Sequence, residues 1–218
     1  MSSRLALSSS SPLPALSPEL EHGDALSSTE SLPHERKSWI DPASLPHYHH
    51  PSYTSGNAAD YVKKLNYNTL MFYGVGDEDS FGFQVGKSIR FTDVSFQRDL
   101  ERQGRLQATT TAELQVTKHM LNGAGMLHGG CVAYLIDNCC STPLVVLGLI
   151  KSINGVGVTQ SMNILFHAPA PLGTCLQIIS TSITLGGRVM TSRCEILDKN
   201  SGRMIASAFL SKMQPAKL

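Results

Sequence analysis

One stretch of this chain, His128 to about Leu149, constrains its fold more than any other. Val132, Leu135, Ile136, Cys139, Pro143, Val146 and Leu147 recur at spacings of three and four, which is helical periodicity. Nearly every face of that helix is apolar or small, so it has to be wrapped on most sides rather than lie at a surface. Pro143 should bend it or end its regular part. Gly129 and Gly130 at its start let another group approach the backbone closely. Strictly consecutive apolar residues never reach the roughly 18 of a bilayer crossing, so no stable membrane insertion is expected.

The wrapping has to come from the flanking segments, and these read as strands. In TTTAELQVT (109–117), Ala112, Leu114 and Val116 alternate with Thr111, Glu113 and Gln115, the period of two of a half-buried strand. Gln103-Gly104 is a turn that separates it from an extended run before it. After the helix come VGVTQSMNILF (156–166), TCLQIISTSITL (174–185), RVMTSRCEILD (188–198) and RMIASAFLSKM (203–213). Gly186-Gly187 and Asn200-Ser201-Gly202 turn the last three into an antiparallel meander. Residues 57–73 predict a further helix, with Asn57 as N-cap and Val62, Leu65 and Leu70 on its apolar face. Strands, one long buried helix, then strands imply an α+β class, a single antiparallel sheet curled around a central helix. Such a sheet has two edges, and pairing an edge with a second copy is a natural way to cover it.

Composition separates residues 1–56 from the domain at 57–218. The first 60 residues hold 14 Ser and 7 of the 11 Pro, too little apolar surface to offset ordering entropy, so disorder is expected there. Only Trp39 and the His47–His50 cluster offer groups that would dock on a fold. The first 18 residues carry Arg4, many Ser and no acid, a transit-like composition, so the expected location is intracellular, cytoplasmic or mitochondrial. The formal net charge of +1 excludes a strongly basic nucleic-acid binder. Five cysteines, Cys131, Cys139, Cys140, Cys175 and Cys194, form no CxxC pair, which argues against a disulfide scaffold or structural zinc and for a reducing compartment. No metal or retained cofactor is expected.

The chemistry-bearing string is LNGAGMLHGGCVAYLID, Leu121 to Asp137. The first amides of a helix lack internal partners and sit at the positive end of its dipole, so those of Gly129 and Gly130 are a candidate oxyanion hole. His128 adjoins them, and Asn122 lies in the Gly-rich loop before. Asp137 stands two and a half turns into an apolar helix. Desolvation there would strengthen its carboxylate as a general base, or as a nucleophile toward a thioester.

Asn122-Gly-Ala-Gly-Met-Leu-His128-Gly-Gly, with Asp137 nine residues after His128, resembles the signature of hotdog-fold acyl-CoA thioesterases. The nearest group holds the phenylacetyl-CoA thioesterases and the small mitochondrial-associated long-chain acyl-CoA thioesterases of animals. The likeness covers roughly residues 85–214. It implies a hotdog fold, a homodimer or homotetramer with active sites between subunits, and a role in fatty-acid metabolism. It also implies hydrolysis of a fatty-acyl-CoA or aryl-CoA to free acid and CoA. On it, Asp137 activates water or attacks the thioester, Gly130 polarises the carbonyl, and Asn122 and His128 hold the substrate. The acid comes from one subunit and the Asn/His/Gly loop from the other. Thr159 stands where close relatives carry a water-positioning Ser, and Ser161, two residues on along the same strand face, is the substitute. Gly129, Tyr134 and Asn138 are expected against the substrate. Arg188 is the first candidate for the CoA phosphates, with Lys212 and Arg203 behind it. The alternatives are a non-catalytic acyl-CoA binding module, a hydratase on the same fold, and a protein whose tail is an interaction arm.

Overall fold

The computed structural model describes residues 41–48, 53–75, 77–100 and 103–214. The apolar stretch forms a 23-residue helix, here α3 (Gly129–Lys151). Before it come α1 (Asp60–Leu70), the short α2 (Phe83–Gly86) and strands β1 (Arg90–Asp99) and β2 (Arg105–Gln115). After it come β3 (Val158–Phe166), β4 (Cys175–Leu185), β5 (Val189–Asp198) and β6 (Met204–Met213). The six strands make one antiparallel sheet in the order β1-β2-β4-β5-β6-β3. This is the expected α+β architecture, with the meander β4-β5-β6 as read and the helix lying in the sheet's concave face.

The core explains why α3 is apolar all round. Leu135, Ile136, Cys139 and Cys140 of α3 are almost wholly buried, clustered with Ala112, Leu114, Leu176, Ile178, Ile196 and Leu210 from the strands. Burying each large side chain contributes about 1.5–3 kcal/mol. By length and composition alone α3 would also cross a bilayer, which counting consecutive apolar residues did not reveal, but 61% of its most apolar window is buried inside the fold.

Pro143 does not end the helix. Its missing N–H leaves the Cys139 carbonyl without the usual i+4 donor. The Thr142 hydroxyl donates to that oxygen at 2.6 Å, and the Ser192 hydroxyl on β5 donates to the next one, Cys140 O, also at 2.6 Å. Side chains therefore carry the ladder past the proline, and α3 runs on to Lys151.

Asn57 does not cap α1. The helix starts at Asp60 behind Ala59, and the Asn57 carboxamide instead pairs with both backbone groups of Phe96 on β1, each at 2.8 Å. The reason is the edge. β1 has open backbone groups on one side, and residues 55–58 occupy them through Ser55 N to Thr92 O, Val94 N to Ser55 O and Ala58 N to Val94 O. Folded contacts thus begin ahead of the expected boundary at 57. Farther upstream, Leu45 is buried and the buried Asn68 of α1 takes the Tyr48 N–H at 3.1 Å and pairs with His47 Nδ1 at 3.3 Å. The rest of the expected disordered extension, with Trp39, His49 and His50, lies outside the described residues. The opposite edge, β3, is bare among the described residues and carries the exposed Val158, Leu165 and Phe166.

Candidate active site

The sheet leaves one stripe of α3 open. Gly130, Ala133, Tyr134, Asp137, Asn138 and Ser141 follow the three-four spacing of a single helix face, and all line two adjoining cavities of about 510 and 360 Å3. Asp137 and Asn138 border both. Over the stripe lie the irregular turn Met71–Val75 and α2. Tyr134 fixes this cover by donating its hydroxyl to Gly74 O at 2.7 Å. Its ring lies so close to Gly82 that a Cβ there would approach within 2.5 Å, and Gly82 also has φ +74°, so only glycine fits without strain. Burial, then the neighbouring Cys139 and Cys131, push the Tyr134 phenol up to about 12. The Asn138 side chain donates back to Tyr134 O at 2.9 Å.

Asp137 is half-buried, not sealed in the core, because its side of α3 faces the cavities. Thr159 Oγ1 donates to Asp137 Oδ1 at 2.6 Å, the short distance of an O–H bond to a carboxylate. This unites the acid and the strand hydroxyl that the sequence pointed to. Ser161 does not share that face. A bulge between Thr159 and Ser161 shifts the strand's phase, so Thr159 and Met162 pair with the inward Lys212 and Leu210, while Ser161 pairs with the outward Ser211. It opens on a different cavity, beside Thr191 and Phe209.

The loop before α3 is where expected. His128 is the N-cap, and Asn122 closes the tight Leu121–Leu127 loop by accepting from Ala124 N at 2.9 Å and Met126 N at 3.1 Å. Its Nδ2 has no hydrogen-bond partner among the described residues. The Gly130 amide, however, is not free. It donates to His128 Nδ1 at 2.8 Å, an ordinary capping bond. A ring that accepts at Nδ1 carries its neutral-state proton at Nε2, a tautomer assigned from this bond. The exposed donor of the loop is then His128 Nε2–H. The Phe166 ring lies over Gly129.

Gly130 and Asp137 are seven residues apart on one helix, about 10 Å at 1.5 Å per residue, so one chain does not bring both to one thioester carbon. The cationic expectations fare differently. Arg188 is exposed in the β4–β5 turn and lines neither cavity, and Arg203 is spent on Pro169 O at 3.0 Å. Lys212 points inward and lines the smaller cavity instead of offering a surface clamp for phosphate. Its ammonium donates to Ser141 Oγ at 2.8 Å, and Ser141 in turn donates to Asp137 O at 2.6 Å. Burial lowers the Lys212 pKa, against the opposing pull of the Asp137 carboxylate and Cys140. Ser141 and Asn66 belong to the site and were not singled out in the sequence. A serine one turn after Asp137 on the same face was the available signal for the first; nothing local distinguishes the second.

Comparison with known proteins shows similarity of sequence and of fold. Residues 124–205 match the family described as the Thioesterase superfamily. The human acyl-coenzyme A thioesterase 13 is 31% identical over 94 residues, which is 43% of this chain and 64% of that protein. The alignment therefore spans just under two thirds of that relative. The mouse acyl-coenzyme A thioesterase THEM4 is 27% identical over 141 residues, 62% of this chain and 58% of that protein. Among solved structures, zebrafish thioesterase superfamily member 2 superposes with a TM-score of 0.54 at 20% identity, covering 66% of this chain and 93% of that one. Mouse thioesterase superfamily member 2 gives 0.53 at 22% identity, covering 72% and 98%. The fold is thus that of the thioesterase superfamily member 2 structures, a hotdog, and residues 124–205 carry the sequence similarity to the Thioesterase superfamily.

Proposed function

We propose that this chain hydrolyses a fatty-acyl-CoA or aryl-CoA thioester to free acid and CoA, with Asp137 as general base. The carrying observation is the 2.6 Å bond from Thr159 to Asp137 Oδ1 on the face of α3 that lines the 510 and 360 Å3 cavities. Thr159 occupies one carboxylate oxygen, which leaves Oδ2 to accept a proton from water. That water attacks the thioester carbon, the carbonyl oxygen gains the negative charge, and collapse expels the CoA thiolate, which recovers the proton from Asp137. The charge on the oxygen is met by His128 Nε2–H and Asn122 Nδ2, with the Gly130 amide holding the imidazole in the donating tautomer.

The 10 Å between Gly130 and Asp137 supports a site shared by two subunits, the acid from one and the Asn122/His128 loop from its partner. β3 is the edge that fits such pairing, since β1 is covered by residues 55–58 and β3 presents open backbone with Val158, Leu165 and Phe166. The chain is thus read as a homodimer, or a dimer of dimers. CoA enters as substrate and no retained cofactor is used.

The test is thiol release across acyl-CoA and aryl-CoA esters. The wild-type protein turns over, and Asp137→Asn loses about 10²–10⁴-fold in kcat with its fold intact by circular dichroism. Wild-type turnover by Asp137→Asn would remove the acid from the mechanism.

A further inference from the structure

The inward face of β6 runs Ala206, Ala208, Leu210 and then Lys212, so a lysine stands where the strand's alternation places core residues. It is half-buried, with Thr159 on β3 and Met190 on β5 as its cross-strand neighbours. Thr159 and Lys212, side by side on adjacent strands, hold one turn of α3. Thr159 Oγ1 donates to Asp137 Oδ1 at 2.6 Å, Lys212 Nζ to Ser141 Oγ at 2.8 Å, and the Ser141 hydroxyl to Asp137 O at 2.6 Å. Among the described residues that line the two cavities, Asp137 is the one carboxylate and Lys212 the one Lys, Arg or His. The other titratable side chains beside the acid are Tyr134, Cys139 and Cys140 of α3 and Tyr73 of the turn over it. From α1 and β3 the cavities meet Asn66, Thr69, Leu70, Val158, Thr159 and Met162, none of which titrates. Burial raises Tyr73, Tyr134 and Cys139, which therefore stay neutral near pH 7, and the Cys140 thiol pairs with Ser192 Oγ at 3.2 Å. An ammonium in such surroundings is costly unless an anion answers it. Burial lowers the Lys212 pKa, and the Asp137 carboxylate, then Cys140, oppose that.

We propose that Lys212 is a positioning residue for Asp137: its ammonium, held by Ser141, supplies the counter-charge of the cavity and keeps the Asp137 carboxylate ionised and ready to take a proton from water. The inference rests on the thioester-hydrolase reading and adds a residue to it. A general base works only in its ionised form, and a half-buried carboxylate facing apolar walls loses hydration that favours that form. A nearby cation restores it. The geometry does this without blocking the base. Lys212 makes its hydrogen bond to Ser141 and not to the carboxylate, and Thr159 occupies Oδ1. Oδ2 therefore stays open to water, which a direct ion pair with the lysine would exclude. The same two strands thus divide the work on one turn of α3: β3 orients the carboxylate and β6 supplies the charge that balances it.

The experiment titrates the Asp137 carboxyl directly, by carbon NMR of full-length protein labelled with 13Cγ-aspartate, the Asp137 resonance being the one that Asp137→Asn removes. Lys212→Met deletes the charge and the bond to Ser141, whereas Lys212→Gln deletes the charge and keeps an N–H donor. In both variants the Asp137 titration should move to higher pH by at least about half a unit. Lys212→Arg, which keeps the charge, should titrate as the wild type does. An unmoved titration in Lys212→Met overturns the proposal, and so does a shift in Lys212→Met that Lys212→Gln lacks, which assigns the effect to the hydrogen bond. Should neither neutral variant fold, lysine 13Cε resonances are followed instead, with Lys212 assigned through Lys212→Arg. Its titration should move to lower pH in Asp137→Asn, and an unchanged titration there overturns the proposal. Thiol release from acyl-CoA is read in parallel, and the acid limb of kcat/KM should follow the carboxyl titration. A rate lowered equally at every pH, with the limb unmoved, gives Lys212 a purely structural role and also overturns the proposal. If the wild-type protein releases no thiol at any pH, the hydrolase reading falls, and the carboxyl titration still decides whether Lys212 holds Asp137 ionised.

Discussion

Replacing Thr159 by Val isolates the contact on which the catalytic reading turns. Val keeps the β-branch and volume that pack opposite Lys212 on β6, and removes only the hydroxyl that donates to Asp137 Oδ1 at 2.6 Å. Hydrogen bonds to charged groups contribute about 1.5–3 kcal/mol. Both partners are half-buried, so water takes over part of the contact and about 1–1.5 kcal/mol of orientation is lost. At about 1.4 kcal/mol per tenfold, kcat should fall by a factor of about five to twelve. KM should stay near wild type, because the hydroxyl is committed to the acid in the absence of substrate. Steady-state thiol release separates the two constants, and Thr159→Ser should recover most of the rate. Wild-type kcat in Thr159→Val would refute the reasoning, as would an equal loss in Thr159→Ser, which would assign the effect to the methyl group and its packing.

Three further outcomes are expected. Thr142→Val deletes the hydroxyl that bonds Cys139 O beside Pro143 and touches Thr110 Oγ1 at 2.7 Å, so urea unfolding should show a loss of about 1–3 kcal/mol. Burial, then Cys140, raises the Cys139 thiol from 9.0 to about 12, so the folded state keeps a proton that the unfolded chain loses. Its contribution is complete below pH 9 and is lost as pH rises toward 12, at up to about 1.4 kcal/mol per pH unit, and Cys139→Ala should flatten that decline in urea midpoints. Leu165→Glu, on the bare β3 edge, should shift the sedimentation coefficient toward a monomer and abolish thiol release while leaving the circular dichroism spectrum unchanged; an active dimer of this variant would move the interface elsewhere.

Much of the architecture was legible because two periodicities carry it. The three-four spacing of Leu135, Ile136 and Cys139 and the two-residue alternation around Ala112 and Leu114 each specify an element and its buried face. What the pattern missed depends on contacts between distant residues. Asn57 has the chemistry of an N-cap, but Phe96, 39 residues away on an open sheet edge, offers its carboxamide two partners at once. Ser161 fails as a substitute for Thr159 because a bulge, which no side-chain alternation announces, inserts one residue between them. Pro143 reads as a helix end until the threonine before it is seen to supply the missing donor. Of the residues expected at the site, Asp137 and Thr159 lie in hydrogen-bond contact and His128 caps the helix that carries the acid. The motif did not show that the Gly130 amide is taken by its own neighbour, because a glycine pair looks the same whether its amides face solvent or a capping imidazole.

That capping bond bears on how the site is completed. If the Gly130 amide were the primary oxyanion donor, the imidazole would have to swing away and the first turn of α3 would lose its cap, a cost of about 1 kcal/mol in each cycle. With the bond kept, the amide instead fixes which ring nitrogen carries the proton, and Nε2–H projects from the loop as a donor. The two arrangements respond oppositely to one substitution. His128→Ser retains a capping acceptor for Gly130 but has no N–H and is too short to reach the place of Nε2, so a fold of wild-type stability with kcat lowered about tenfold or more places the oxyanion donor on the ring. Wild-type kcat in that variant would return the role to the glycine backbone.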